Sequence, residues 1–244
     1  AKLKTFGLNI GYNAWGKGIK SLRQRQTELN IFLPWYLVIK IADNQKLAQV
    51  DRIIKEGKQL GIYFYFLDLR KSAAFNSAVT SLMRSHNDCA FVALFPAGQI
   101  IPQNMGAVMT CRSTLFLIDS QGSDFTAAAA LLRQQKCFFG AYRAYDDASV
   151  EELIRGQWTE PIIKAKTPLA FLLAEKNTSD QAVGLSFRYV NNERQAQRYP
   201  LLLIDIVEDC NQINKYIYKN EFKPLSVIDA AALPAEPLLK IIKA

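Results

Sequence analysis

The chain has 244 residues, of which half are hydrophobic and 21% are charged, with a net charge of +8 and a pI near 9.3. This balance is typical of a globular protein and excludes a disordered chain, which would have fewer aliphatic residues and more charge. The longest apolar runs have the length of strands, whereas a membrane-spanning helix needs roughly 20 apolar residues. We expect a cytoplasmic protein with an anionic partner, because residues 1–4 lack the apolar stretch of a signal peptide and the net charge is positive.

The residues that most often supply metal ligands and nucleophiles are few. The four cysteines are scattered and favour buried free thiols in a reduced compartment. They are Cys89, Cys111, Cys137 and Cys210. The only histidine, His86, lies in a polar stretch and is predicted to be a solvated loop residue. A zinc site rich in histidine is therefore excluded, and a Ser-His-Asp triad would have to use His86.

Strand-like and helix-like segments alternate from the beginning of the chain to residue 156. Predicted strands are 5–10, 35–42, 62–67, 90–95, 114–118 and 137–142. Predicted helices are 19–29, 45–59, 73–83, 125–135 and 149–155. Continuous apolar strands separated by helices indicate a mainly parallel, Rossmann-like sheet with helices on both faces.

The pattern changes after Gly156. Segments 169–174, 183–190 and 201–206 read as strands divided by polar loops, with no helix between them. This favours an antiparallel extension, followed by a helix at 209–219. We predict one α/β domain with nucleotide-binding-like repeats in residues 1–156 and a strand-rich extension with a C-terminal helix in residues 157–244.

Polar clusters follow several predicted strands. They are Tyr12-Asn13, Asp43-Asn44, the turn at 96–98 and Glu208-Asp209. Turn chemistry alone accounts for each cluster taken singly. Their common position matters because parallel α/β sheets bind ligands beyond the carboxyl ends of their strands.

The order and spacing of five segments resemble the family-2 nucleotide-sugar glycosyltransferases of the GT-A fold. The segments are 8–13, 39–44, 73–79, 95–102 and 206–213. The resemblance covers residues 5 to about 110, and residues 200–229 less closely.

This resemblance implies a nucleotide-sugar as the ligand. It assigns nucleotide binding to five residues, which are Tyr12, Asn13, Asp43, Asn44 and Asn76. It also assigns catalysis to the pair Glu208 and Asp209, with Asp209 taking the proton from the acceptor hydroxyl. Where the family has its metal-binding Asp, this chain has Ala97, so no metal site is expected. The expected protein is then a metal-independent transferase or a catalytically degenerate relative that binds without turnover.

Two alternatives remain open at this point. Residues 11–17 fit the G-x-x-x-x-G-K phosphate loop, with Gly11, Gly16 and Lys17 as its phosphate-binding residues. Because Gly18 stands where a Ser or Thr would hold Mg²⁺, this predicts a degenerate P-loop protein. The other alternative is a non-catalytic interaction subunit built on a nucleotide-binding α/β fold.

The expected partners follow from charge and from the C-terminal tail. We expect an anionic small molecule or phosphorylated ligand, and either a protein partner or peripheral membrane contact through residues 233–244. No dedicated nucleic-acid module is present in the sequence.

Overall fold

The computed structural model describes residues 2–42, 46–71, 77–218, 227–229 and 237–243. Its strands are β1 (Tyr36–Lys40), β2 (Phe64–Asp68), β3 (Ala90–Phe95), β4 (Thr114–Asp119), β5 (Phe139–Tyr145), β6 (Leu169–Ala174), β7 (Leu202–Asp205) and β8 (Val227–Asp229). Its α-helices are α1 (Lys2–Leu8), α2 (Ile19–Leu29), α3 (Leu47–Leu60), α4 (Ser77–Ser85), α5 (Met105–Thr110), α6 (Phe125–Gln134), α7 (Val150–Ile154), α8 (Thr159–Lys164), α9 (Asp180–Ala196), α10 (Ile206–Ile217) and α11 (Leu238–Lys243). A π-helical segment, Asn9–Gly18, joins α1 to α2.

The first of two compact units comprises residues 1–95, 99–116 and 223–244. Its strands are ordered β4-β3-β2-β1-β8. Strand β1 pairs in parallel with β2 and β8, and β2 pairs in parallel with β3. The core is aromatic, with Tyr65, Phe91, Phe95 and Phe116 among its fully buried side chains.

The second unit comprises residues 96–98 and 117–222. Its strands are ordered β7-β6-β5-β4, and β4 contributes residues 117–119 to this unit. Strand β6 pairs in parallel with β5 and with β7. The parallel α/β class is therefore confirmed. The Rossmann-like sheet and the antiparallel C-terminal extension are both wrong, because β1 to β4 and β4 to β7 lie side by side in sequence order, whereas a Rossmann sheet reverses its strand order. The division of a single domain near Gly156 stays a prediction.

The predicted strand at 183–190 lies inside helix α9. The apolar residues of this segment alternate, which favoured a strand, but the buried residues follow helical spacing instead: Ala182, Ser186, Tyr189, Val190 and Glu193. The Ser179 side chain accepts a hydrogen bond from the Ala182 backbone N–H and begins the helix. Helix α9 thus provides the connection that parallel pairing of β6 and β7 requires.

The predicted strand at 5–10 is also helical, because α1, the π-helical segment and α2 run from Lys2 to Leu29 without an intervening strand. The first strand of the chain is therefore β1. None of the helices in the part of the chain that the structure describes has the length and apolar character needed to cross a bilayer.

A close backbone approach fixes the end of the π-helical segment. A Cβ added to Gly18 would lie 2.6 Å from the Gly61 carbonyl oxygen and 2.7 Å from that of Asn13. Gly61 itself has φ of +97°, which only glycine adopts readily, and it ends helix α3. Two glycines thus let α2 pack directly on the turn between α3 and β2.

We expect Gly18→Ala to lower the free energy of unfolding by about 1–3 kcal/mol, because the added methyl group meets two backbone oxygens that cannot move independently. The measurement is urea denaturation followed by circular dichroism. Gly11→Ala is the matched control, since an added Cβ there meets nothing within 4 Å and helical Ala is favoured over Gly by roughly 0.5–1 kcal/mol. Equal stability of the two variants would contradict the close approach.

Candidate functional site

The two faces of strand β2 have different neighbours. The Tyr65 hydroxyl donates to the backbone oxygen of Ile62 at 2.7 Å and lies 3.3 Å from that of Ile54 in helix α3. Tyr65 therefore points toward the helix layer. Since side chains alternate along a strand, Phe64, Phe66 and Asp68 point to the opposite face.

A row of charged residues lies on that opposite face at the carboxyl ends of three adjacent strands. Lys40 is in register with Asp68 on one side and with Asp229 on the other. Side chains in register on adjacent parallel strands point to the same face. The row, in the order Asp229, Lys40, Asp68, thus alternates negative, positive and negative charge at the edge where parallel α/β sheets bind ligands.

Asp68 is held by Arg70, two residues further along the chain. The Arg70 Nε and Nη2 atoms each lie 3.0 Å from one carboxylate oxygen, and the Arg70 backbone N–H donates to Oδ1 at 3.1 Å. The Asp68 side chain is only 12% exposed. Among the residues that the structure describes, Lys40 makes no ion pair, so its ammonium group is available to a ligand.

Aromatic rings form the layer beneath this charged row. Phe66 lies edge-on to Phe64 and to Tyr36, with ring centroids 5.0 and 5.6 Å apart, and Trp35 stacks on Phe64 at 5.4 Å. All four rings are buried. Charges next to such an apolar layer interact more strongly than charges surrounded by water.

Three of the residues assigned to nucleotide binding, Asp43, Asn44 and Asn76, lie outside the described residues. In the sequence, the first two follow β1 and the third follows β2. Their assignment stays a prediction.

Tyr12 and Asn13 are on the π-helical segment and do not follow a strand. The Asn13 amide donates to the backbone oxygen of Asp88 at 2.8 Å, two residues before β3 begins. Asn13 therefore lies at the amino end of β3, whereas Lys40 and Asp68 lie at carboxyl ends. Tyr12 is 71% exposed. The premise that placed these two residues at the carboxyl edge, a strand at 5–10, is wrong.

The phosphate-loop interpretation of residues 11–17 is also wrong. A phosphate-binding loop joins a strand to a helix and turns its backbone N–H groups toward the ligand. Gly11, Gly16 and Lys17 instead belong to a continuous helical segment. The Lys17 ammonium lies 6.0 Å from the centre of the Tyr63 ring.

Glu208 and Asp209 lie in the first turn of helix α10. The Asp209 carboxylate accepts from Arg194, with 2.9 Å between Nη1 and Oδ1, and from the backbone N–H of Asp205 at 3.0 Å. Glu208 accepts from the Asn211 amide at 2.9 Å. Both carboxylates take part in local contacts at the beginning of the helix, and their catalytic assignment is not tested by these contacts.

A buried polar cluster surrounds Asp205 and was not predicted from the sequence. Its carboxylate accepts from Ser186 at 2.7 Å and from the backbone N–H of Glu208 at 3.0 Å, and the Tyr145 hydroxyl is 3.4 Å away. Burial raises the pKa of Asp205, and the carboxylates of Asp209 and Glu208 raise it further. The sequence did not indicate this cluster for two reasons. Ser186 lies in a segment that was predicted to be a strand, and Asp205 ends an apolar strand, where an aspartate is common.

Comparison with solved structures gives the fold. No protein-family model matches the chain, and no curated protein matches it. SuiB from Streptococcus suis, solved bound to S-adenosylmethionine, has a TM-score of 0.55 at 12% identity over 76% of this chain and 51% of its own. The protein anSMEcpe, solved with the same ligand, has a TM-score of 0.54 at 9% identity over 86% of this chain and 81% of its own. The chain thus spans about half the length of SuiB.

These likenesses correct the functional interpretation. Both were solved with S-adenosylmethionine bound, and neither is a GT-A glycosyltransferase. The segments that supported the glycosyltransferase resemblance are short, and their Asn, Asp, Gly and Pro residues are common in the turns of many α/β proteins. The assignment to family-2 glycosyltransferases and the nucleotide-sugar transfer inferred from it are therefore wrong.

Iron–sulfur clusters are bound by cysteine thiolates. The four cysteines of this chain do not fit one, because all are buried on different segments. Cys89 precedes β3, Cys111 ends α5, Cys137 precedes β5 and Cys210 lies in α10. Burial foremost, and next the Asp88 carboxylate, raise the pKa of the Cys89 thiol and keep it protonated. No group of three or more potential metal ligands occurs among the described residues.

The only histidine is buried rather than solvated. His86 is 2% exposed, and its Nε2 atom lies 2.9 Å from Asp51 Oδ1 in helix α3. Burial lowers the pKa of His86, although the hydrogen bond to Asp51 opposes that effect. Its Nδ1 atom has no hydrogen-bond partner in the described part of the chain. His86 therefore packs within the scaffold as a neutral ring.

We expect the free energy of unfolding to fall as the pH is lowered from 7.5 to 5.5, since the unfolded chain takes up a proton at a pKa of about 6.5 that folded His86 resists. Stability falls because the pKa of the imidazole is lower in the folded state, so the folded state binds fewer protons than the unfolded chain does. His86→Gln should flatten this slope. The measurement is urea unfolding at several pH values, together with NMR titration of the single imidazole. A folded-state pKa at or above about 6.5 would refute the prediction.

Proposed function

We propose that the protein binds S-adenosylmethionine, or a closely similar zwitterionic nucleoside, at the carboxyl ends of β8, β1 and β2. The observation that carries the proposal is the alternating row of Asp229, Lys40 and Asp68 on the face of the sheet opposite helix α3.

The charges of the row match those of the ligand. Lys40 supplies a cation for the carboxylate of the methionine moiety, in a charge-assisted hydrogen bond. Asp68 and Asp229 supply acceptors for the ammonium group and the ribose hydroxyls. Arg70 holds the Asp68 carboxylate in one orientation, so less side-chain freedom is lost when the ligand binds.

The two similar solved structures support the choice of ligand, because each was solved with S-adenosylmethionine bound. Their identity to this chain is 12% or less, so they support a common fold and transfer no individual residue. The four buried cysteines lead us to propose binding without an iron–sulfur cluster held by this chain.

We expect isothermal titration calorimetry to detect binding of S-adenosylmethionine and S-adenosylhomocysteine. Lys40→Ala should weaken the affinity about tenfold or more, because a hydrogen bond between charged groups contributes roughly 1.5–3 kcal/mol. Asp68→Asn should also weaken binding, since the amide lacks the charge that attracts an ammonium group.

Lys164→Ala is the matched control. Lys164 lies on α8, its side chain is 73% exposed and it pairs with Glu160, so its removal deletes the same charge at an unrelated surface. Unchanged thermal unfolding of all variants would exclude misfolding. Absence of binding by the wild-type protein, or equal binding by the Lys40 and Lys164 variants, would refute the proposal.

We expect anaerobic incubation with iron and sulfide to leave the protein without the visible charge-transfer absorption of an iron–sulfur cluster. The four thiols should remain buried in the folded protein and react with an alkylating reagent only after unfolding. Stoichiometric cluster formation that is lost in Cys89→Ser would contradict the geometric argument.

A further inference from the structure

We infer that a cleft at the amino end of β4 binds the phosphate group of a phosphorylated ligand. The cleft has a volume of about 780 Å³ and lies against α1, α4 and α5. Its polar lining residues are Thr5, Arg84, Asn87, Thr110, Arg112 and Ser113. It lies at the edge of the first unit's sheet opposite to Lys40 and Asp68, so it does not depend on the proposed function.

The charge of the lining is entirely positive. Arg84 and Arg112 are exposed, and neither forms an ion pair with any residue that the structure describes. No carboxylate belongs to the lining. Guanidinium groups bind phosphate oxygens through two parallel N–H donors, which is the geometry that two unpaired arginines in one cleft offer.

Ser113 adds a donor in a fixed position. It is 5% exposed, and its hydroxyl oxygen lies 2.7 Å from the Nδ2 atom of Asn9, which donates to it. The serine hydroxyl hydrogen is therefore free to point toward a ligand oxygen. The Asn9 amide also lies 2.8 Å from the Asn87 carbonyl oxygen and 3.0 Å from that of Cys89. This polar contact ties the rear of the cleft to the beginning of β3.

The dimensions and the remaining lining favour a small molecule. A volume of about 780 Å³ lies within the range of roughly 300–1,000 Å³ typical of small-molecule sites. Met83 and Met109 give the cleft an apolar wall, and methionine side chains adapt to ligands of irregular shape. A phosphomonoester with a compact organic part matches this combination of two arginines, one fixed hydroxyl and an apolar wall.

The test is calorimetric titration with inorganic phosphate, pyrophosphate and glycerol phosphate, beside sedimentation with vesicles containing phosphatidic acid. We expect the soluble phosphates to bind, and Arg84→Ala/Arg112→Ala to weaken their affinity at least tenfold. Ser113→Ala should weaken it less, by a few-fold. Binding should also weaken as the salt concentration rises.

The control variant is Arg25→Ala/Arg155→Ala, which removes the same net charge from exposed positions outside the cleft. It should bind phosphate as the wild-type protein does, and all variants should retain the thermal transition. Binding to the vesicles alone, lost in the cleft variant, would assign the phosphate to a lipid headgroup at this cleft. Absence of all phosphate binding, or equal weakening in both double variants, would overturn the proposal.

Discussion

Parallel strand pairing is the constraint on which the arrangement of polar groups depends, because it places all amino ends of a unit's strands at one edge and all carboxyl ends at the other. In the first unit, the amino edge is closed by the helical segment that begins the chain. Asn9 holds this segment against the edge, because its buried amide donates hydrogen bonds to backbone carbonyls that precede β3 and to the Ser113 hydroxyl that precedes β4. A buried amide that lost these partners would be left unsatisfied, at a cost of about 1–3 kcal/mol.

The closure leaves the two edges with different chemistry. At the carboxyl edge, Lys40 lies between two carboxylates, which is an environment for a ligand that carries both signs of charge. At the amino edge, Arg84 and Arg112 lie in a cleft without a carboxylate, which is an environment for an anion. The net charge of +8 therefore indicates the sign of only one of the two environments. Local pairing, rather than total charge, determines what each edge attracts.

The sequence predicted strands well where apolar residues are continuous. Residues 90–95 were predicted as a strand and form β3, in which every residue is buried. The prediction of strands failed where apolar residues alternate over a short stretch of a helix, as they do in α9. The sequence could not predict the position of Asn9, whose partners lie 78, 80 and 104 residues away along the chain. The sequence indicated the row at the carboxyl edge only weakly, through the position of Lys40 and Asp68 at the end of apolar runs. The proximity of Asp229 to Lys40 depends on the strand register, which the sequence does not show.

The burial of the chain's most reactive side chains limits how it can act. His86 and all four cysteines lie within the scaffold, and the pKa shifts of His86 and Cys89 keep both groups uncharged near neutral pH. Among the described residues, the charged groups identified at the two edges are those of lysine, arginine and aspartate, which recognise charge and hold a ligand in position. S-adenosylmethionine, the ligand that we propose, carries its own activated sulfonium group, so a protein that only orients it can favour a reaction by proximity. The distribution of residues thus agrees with a protein that acts through the placement of its ligand.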